Sequence, residues 1–166
     1  MAQLDILTYP DERLKAVSEP VTAFTAELDS FIDDLIETMY AGPGGVGIAA
    51  PQVGRAQRIV IVDVSAKPDI PNHGLLVMVN PEITKWKGMK KGREGCLSVP
   101  DYIGSVIRAE TISVRAQSRT GEALQFKFEG YEARAVQHEI DHLDGLLFLD
   151  RLVSRHHDLM RRKPSS

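Results

Sequence analysis

The chain has a single cysteine, Cys96, among 166 residues. An intrachain disulfide is therefore impossible, and the thiol is left for packing, catalysis or a metal. No apolar run approaches the roughly 20 residues needed to span a bilayer. Basic charge is not in excess: the net charge is -3 and the pI near 5.9. That balance argues against a broad phosphate-binding surface, and no nucleic-acid motif is present. The opening stretch MAQLDILTYPDERL has neither a basic segment nor an apolar core, so it does not read as a secretory leader, and its acids make it a poor transit peptide. The expected setting is bacterial-type cytoplasm, with a mature organellar form as the alternative. There are no internal repeats and no low-complexity tracts.

What is present is ordinary for one globular domain: 43% hydrophobic and 26% charged residues over a length that buries a core without staples. The expected organisation is one catalytic domain over 1–166, with 155–166 a partly frayed basic tail. Leu28, Phe31, Ile32, Leu35, Ile36 and Met39 repeat at helical spacing, which predicts a helix over 25–41 with Thr25 as N-cap. Gly42-Pro43-Gly44-Gly45 ends it. A short helical turn is expected between Pro10 and Pro20. Arg58–Asp63 and Leu75–Val79 read as strands, with 65–74 a polar loop between them. Val106–Gln117 and Ala123–Glu129 read as a hairpin around Ser118–Gly121. A second helix should run over about 131–143, stopped by Gly145. Strands in the middle with helices at either end predict an α+β fold: mixed or antiparallel sheets around a helix in the C-terminal half.

That second helix contains His138-Glu139-Ile140-Asp141-His142. Histidines four apart lie one turn above the other on one helix face, where both can reach a single cation. Glu139 can lean over the same cation without ligating it, a suitable place for a general base. The bland alternative is a surface helix that carries two histidines by chance. Val136, Ile140 and Leu143 argue otherwise, because a helix this apolar is buried and buried histidines need partners. Asp141 is expected to support the site or form a salt bridge, and Asp144 to lie at the surface.

The third ligand is less direct. Proteases that extend H-E-x-x-H with a third histidine have Phe148 at that place here, which offers no lone pair. Asp150 follows closely, while His156, His157 and Asp158 lie in the polar tail. Upstream, Cys96 sits in Glu94-Gly-Cys-Leu-Ser98, a plausible strand end or turn. A lone cysteine is most often a small core filler. It is otherwise a nucleophile or a thiolate ligand, and two imidazoles aimed at one point favour the ligand. Two histidines and a thiolate leave one corner of a tetrahedron open, hence bound water and hydrolysis. Gly45-Val46-Gly47-Ile48-Ala49-Ala50-Pro51-Gln52 follows a helix and precedes a strand, the reverse of a dinucleotide loop. It reads either as tight small-residue packing or as an exposed peptide edge for an extended substrate, with the Gln52 amide able to meet a developing oxyanion.

Three separated segments, GVGIAAPQ at 45–52, EGCLS at 94–98 and QHEIDH at 137–142, resemble in order and spacing the three motifs of peptide deformylases. The resemblance covers essentially the whole chain. It implies an enzyme that removes the N-formyl group from the initiator methionine of new polypeptides. It implies Cys96, His138 and His142 as ligands of one divalent metal, natively Fe2+, with Zn2+, Ni2+ or Co2+ able to replace it. It implies Glu139 as base and then acid, the Gln52 side chain and Leu97 N–H as oxyanion donors, and Gly45, Val46 and Gly47 as the edge that pairs with the peptide. Tyr131 and Arg134 match a subgroup with A-R-x-x-Q-H-E, and Tyr131 is expected at the substrate pocket. Gly92 and Ile103 depart from many relatives and bear on pocket shape. Expected partners are N-formyl-methionyl nascent peptides and the ribosome near its exit tunnel. The rival readings are a zinc endopeptidase or other small amidase, and a non-enzymatic metal-binding module.

Overall fold

The computed structural model describes residues 2–42, 46–152, 154 and 158–161. Among the described residues two helices and eight strands carry the fold: α1 (Ala26–Ala41), β1 (Gly47–Ala49), β2 (Ile59–Val62), β3 (Leu76–Lys87), β4 (Lys90–Cys96), β5 (Val99–Arg108), β6 (Thr111–Gln117), β7 (Ala123–Glu129), α2 (Gly130–Leu143) and β8 (Leu159–Arg161). Single 3-10 turns at Glu12–Lys15, Ala50–Val53 and Phe148–Arg151 join them. A five-stranded sheet has the order β1-β2-β3-β6-β7 and a three-stranded sheet the order β4-β5-β8. Both are antiparallel throughout, the simpler of the two arrangements expected.

The four residues of β2, Ile-Val-Ile-Val, are all fully buried because the strand is covered on both faces. Its side chains alternate. Ile59 and Ile61 join Leu28, Ile32, Leu35 and Met39 of α1 in one core. Val60 and Val62 join Val136, Ile140 and Leu143 of α2 in a second. Helix α2 is thus enclosed, with the large sheet on one side. The small sheet brings Cys96, Val99 and Val106 against Phe148 in a third core. A buried helix whose polar residues face the seam between two sheets is the frame for any chemistry at His138–His142.

Thr25 caps α1 through its hydroxyl, which accepts from Leu28 N at 3.1 Å. Gly145 ends α2 with φ of +76°, and its N–H donates to His142 O while Leu146 N–H donates to Asp141 O. Four differences from the sequence reading have physical causes. The stretch Val106–Gln117, expected as one strand, is two strands in different sheets. The chain turns at Ala109 because the Gln137 amide takes both Ala109 backbone groups, accepting from N–H at 3.0 Å and donating to C=O at 2.9 Å. The strand expected at Leu75–Val79 runs on to Lys87 through a bulge after Val79. Glycine and charge in 90–96 conceal β4. In the tail expected to fray, Leu159–Arg161 pairs with β5 as an edge strand.

Gly145 stands where a Cβ would lie 2.3 Å from Lys15 O, a backbone atom that cannot give way. Gly130, also at positive φ, has nothing within 4 Å. Urea unfolding should therefore show Gly130→Ala losing about 1–2 kcal/mol, the left-handed cost alone, and Gly145→Ala losing clearly more. Equal losses would mean that the α2–Lys15 contact is not rigid.

Candidate active site

Cys96 closes β4 and starts a two-residue turn, Leu97-Ser98, before β5; Cys96 and Val99 are register partners. The turn delivers the thiol to the face of α2 that carries His138 and His142. Ligand atoms of the three residues lie within 4.8 Å of one another, all buried. The Cys96 Sγ is 3.4 Å from His142 Nε2, and the two imidazole centroids are 5.1 Å apart. Of the downstream candidates, Asp150 accepts from Leu147 N–H and Asp158 pairs with Lys91, both away from this cluster. His156 and His157 lie outside the described residues. Phe148 stacks beside His138 at 6.4 Å between centroids, closing the site with carbon.

His138 is oriented from behind. Its Nδ1 meets Glu94 Oε1 at 2.8 Å, which leaves Nε2 free for the cluster. Glu94 accepts two bonds from Arg108, at 2.9 Å from Nε and 2.8 Å from Nη2, and a third from Arg134 Nη1 at 2.8 Å. Arg108 also pairs with Asp141, which in turn accepts from Arg151. Burial opposes charge on Glu94, yet Arg108 and His138 hold it well below the usual carboxylate range. Burial likewise opposes the Arg108 cation, which Glu94 and Asp141 keep firmly charged. Asp141 is thus a salt-bridge residue, as expected, and Asp144 pairs with Arg58 near the surface. Arg108 was not legible: a charged residue at the end of an apolar strand ordinarily points to water.

Glu139 is buried and its Oε1 has no hydrogen-bond partner among the described residues. Its Oε2 lies over Gly47, where a Cβ would come within 2.5 Å. Only glycine at 47 leaves room for this carboxylate. Burial pushes Glu139 up to about 7, against the pull of nearby His138. Gln52 is 1% exposed; its Oε1 accepts from Ala49 N–H at 2.9 Å. Its Nε2 is consequently turned toward the cluster, 3.5 Å from Cys96 Sγ and 3.1 Å from Ser98 Oγ. Leu97 is half-buried in the turn beside Cys96, its side chain against Gly42. Val46 and Tyr131 are half-buried at the border of the α2 core, and the Lys67 ammonium stands 4.2 Å over the Tyr131 ring. Gly45 lies outside the described residues. So Cys96, His138, His142, Glu139 and Gln52 meet around one point.

These donors fit a divalent transition metal: one soft thiolate and two imidazoles, with no fourth ligand in the cluster among the described residues. Buried Glu139 Oε1 lacks a partner among the described residues, a demand that an apolar or closed site would not leave.

The family model described as polypeptide deformylase matches residues 3–158. The chain belongs to the polypeptide deformylase family. A peptide deformylase of Thermodesulfovibrio yellowstonii is 43% identical over 163 residues, 98% of this chain and 97% of the relative. Peptide deformylase 3 of Shewanella oneidensis is 44% identical with the same coverage. A Met-Ala-Ser-bound class I type b peptide deformylase from Acinetobacter baumannii superposes with a TM-score of 0.84 at 41% identity, over 91% of this chain and 99% of that one. Deformylases are metal-dependent, in keeping with the donor cluster.

The position of Glu139 carries a stability cost that pH exposes. Its folded value, about 7, lies above the ordinary 4.5. Between those values the folded state binds the extra proton, so this group stabilises less as pH rises from 4.5 to 7, and the loss is complete above 7. Glu139→Gln in metal-free protein should therefore gain stability at pH 8, on the order of 3 kcal/mol, and almost none at pH 4. Denaturant unfolding at both pH values measures this; a gain independent of pH would contradict the assignment.

Proposed function

We infer that the chain is a metal-dependent amide hydrolase that removes the N-formyl group from formyl-methionyl peptides and releases formate. Family membership supports the reaction, and the convergence of Cys96, His138, His142, Glu139 and Gln52 on one point supports the residues. Cys96, His138 and His142 hold the metal, and ferrous iron is the proposed native ion, with zinc, nickel or cobalt as substitutes. When bound, the metal acidifies water and polarises the formyl carbonyl.

Glu139 takes the proton from the attacking water. Its raised affinity for protons, set by burial, suits that task near neutrality, and the cation brings it below the metal-free value. As charge grows on the formyl oxygen, Gln52 Nε2 and the Leu97 N–H donate to it. Gln52 is held for this role because its carbonyl is already committed to Ala49. Glu139 then passes its proton to the departing amine. A formyl group presents only hydrogen beyond its carbonyl carbon, and a site enclosed by Phe148, Cys96 and Gly47 leaves little room for more. The outer edge of β1 has no strand partner among the described residues, so Gly45, Val46 and Gly47 can pair with the extended peptide. Tyr131 and Val46 border the methionine side chain. Nascent formyl-methionyl polypeptides at the ribosome are the proposed partners, and the cytoplasm the proposed place. No described helix is long and apolar enough to cross a membrane.

An endopeptidase reading needs a third ligand downstream, where Phe148 stands. A non-enzymatic metal module needs a closed site, and the described residues supply three donors.

Protein purified anaerobically should contain iron and release formate from a formyl-methionyl tripeptide. The N-acetyl analogue should be a far poorer substrate; equal rates would make this a general amidase. Glu139→Ala should retain metal and lose at least 10²-fold in kcat, the scale of general acid–base catalysis. Gln52→Leu should lower kcat by roughly 10²–10³, the scale of one oxyanion donor. A change confined to KM would instead make Gln52 a ground-state binder.

A further inference from the structure

Ser98 stands beside the cluster without a task in the reaction. It is fully buried in the Leu97-Ser98 turn between β4 and β5. Its Oγ accepts a hydrogen bond from Gln52 Nε2 at 3.1 Å, across 46 residues of chain. Its N–H donates to Cys96 Sγ at 3.4 Å, and its C=O accepts from Tyr9 N–H at 2.7 Å. The side chain, N–H and C=O are therefore all engaged, and the residue cannot shift without breaking one of these contacts. The plainest account is that a buried hydroxyl needs some partner and that Gln52 supplies it.

The geometry of the Gln52 amide says more. A primary amide has one carbonyl and two N–H groups in a plane. Gln52 Oε1 is anchored on Ala49 N–H at 2.9 Å, which decides which end of the amide faces the cluster. One anchor does not decide the plane, since the group can still turn about that contact. The bond to Ser98 Oγ is the second anchor: it takes one N–H and thereby fixes the direction of the other. Among the described residues that other N–H has Cys96 Sγ as its acceptor, with Nε2 3.5 Å from the sulfur. Sulfur is a weak acceptor, so this N–H is the one that a formyl oxygen gaining charge takes over. The backbone holds both residues in the same way. Leu7 N–H donates to Gln52 O and Tyr9 N–H to Ser98 O, both at 2.7 Å. Leu97, whose N–H is the other proposed oxyanion donor, precedes Ser98 in the same turn. Both donors are thus tied to one another through Ser98.

We propose that Ser98 is a positioning residue for the oxyanion site: its hydroxyl oxygen fixes the plane of the Gln52 amide, so that the N–H left over points to the formyl oxygen. The inference rests on the oxyanion role given to Gln52 above and adds what sets its direction. Ser98 touches neither the substrate nor the transferred proton. It removes a rotational freedom before the substrate arrives, whereas an unheld amide must be ordered at the expense of its interaction with the transition state. That interaction grows only as charge develops on oxygen, so the effect belongs to kcat rather than to KM. The rival assignment gives Ser98 to the metal through Cys96. The two are separable, because the contact to sulfur comes from the backbone N–H, which every residue but proline has. Loss of the hydroxyl removes the Gln52 contact and leaves the one to sulfur.

A double-mutant cycle on metal-loaded full-length protein, with a formyl-methionyl tripeptide as substrate, tests this. Ser98→Ala removes one oxygen atom and adds nothing, and denaturant unfolding reports that it folds. It should lower kcat roughly five- to tenfold, the worth of one neutral hydrogen bond, with KM and metal content unchanged. In the Gln52→Leu background the same substitution should change kcat by less than about twofold, because the partner it acts through is gone. In Co2+-loaded protein the thiolate-to-metal absorption band of Ser98→Ala should coincide with that of the unaltered chain. If Gln52→Leu is impaired and Ser98→Ala is not, or if Ser98→Ala costs as much without Gln52 as with it, the proposal is overturned while the functional reading stands. A change confined to KM also overturns it. So does a shifted Co2+ band, which assigns the serine to Cys96 instead. If Gln52→Leu is itself unimpaired, the oxyanion role of Gln52 fails, and the role of Ser98 falls with it.

Discussion

The site depends on a bundle of buried charges between β4, β5 and α2. Glu94 and Asp141 face Arg108, all three buried, with half-buried Arg134 and exposed Arg151 bonded to them from outside. Each of these groups would be costly to bury alone, and removal of one partner strands another. Together they fix two distances that nothing local could fix. Cys96 is two residues from Glu94, and His138 and His142 flank Asp141 on α2. The ion pairs that hold Glu94 to Arg108 and Arg108 to Asp141 therefore bring the thiol and the imidazoles to one place. Glu94 also chooses the His138 nitrogen left facing that place.

On the opposite side of the cluster the arrangement is set by want of volume. Gly47 is the only residue that can lie under the Glu139 carboxylate, and Gln52 is anchored by the backbone of the same segment. The N-terminal stretch closes over this segment, with Leu7 N–H donating to Gln52 O and Tyr9 N–H to Ser98 O, both at 2.7 Å. An uncompensated buried carboxylate such as Glu139 weakens the fold, and the cores around α1 and α2 carry that burden. The division is physical: stability is built on both faces of the large sheet, and polar strain is confined to the seam with the small one.

Much of this was legible in the chain. The α1 stripe, the Thr25 cap, the 123–129 strand and the α2 histidine pair each follow from a local rule, periodicity or capping. Cys96 could be nominated as a ligand only because the helix demanded a third donor. What local rules missed was long-range. Residues 106–117 look like one continuous strand, and only the Gln137 amide, 28 residues on, makes the chain change sheets at Ala109. No local pattern marks a strand at residues 90–93, since β4 owes its order to pairing with β5 and to Arg134, which donates to Lys90 O and Val106 O. Arg108 was invisible for the same reason: its partners are 14 and 33 residues away.

X-ray absorption at the edge of the bound metal tests the central claim most directly. The account predicts one sulfur neighbour at about 2.3 Å, the zinc–thiolate value, two imidazole nitrogens near 2.0–2.1 Å, and an oxygen at the remaining corner. It also predicts that the sulfur shell vanishes in Cys96→Asp while the imidazoles persist. A metal surrounded only by nitrogen and oxygen in the unaltered protein would contradict it.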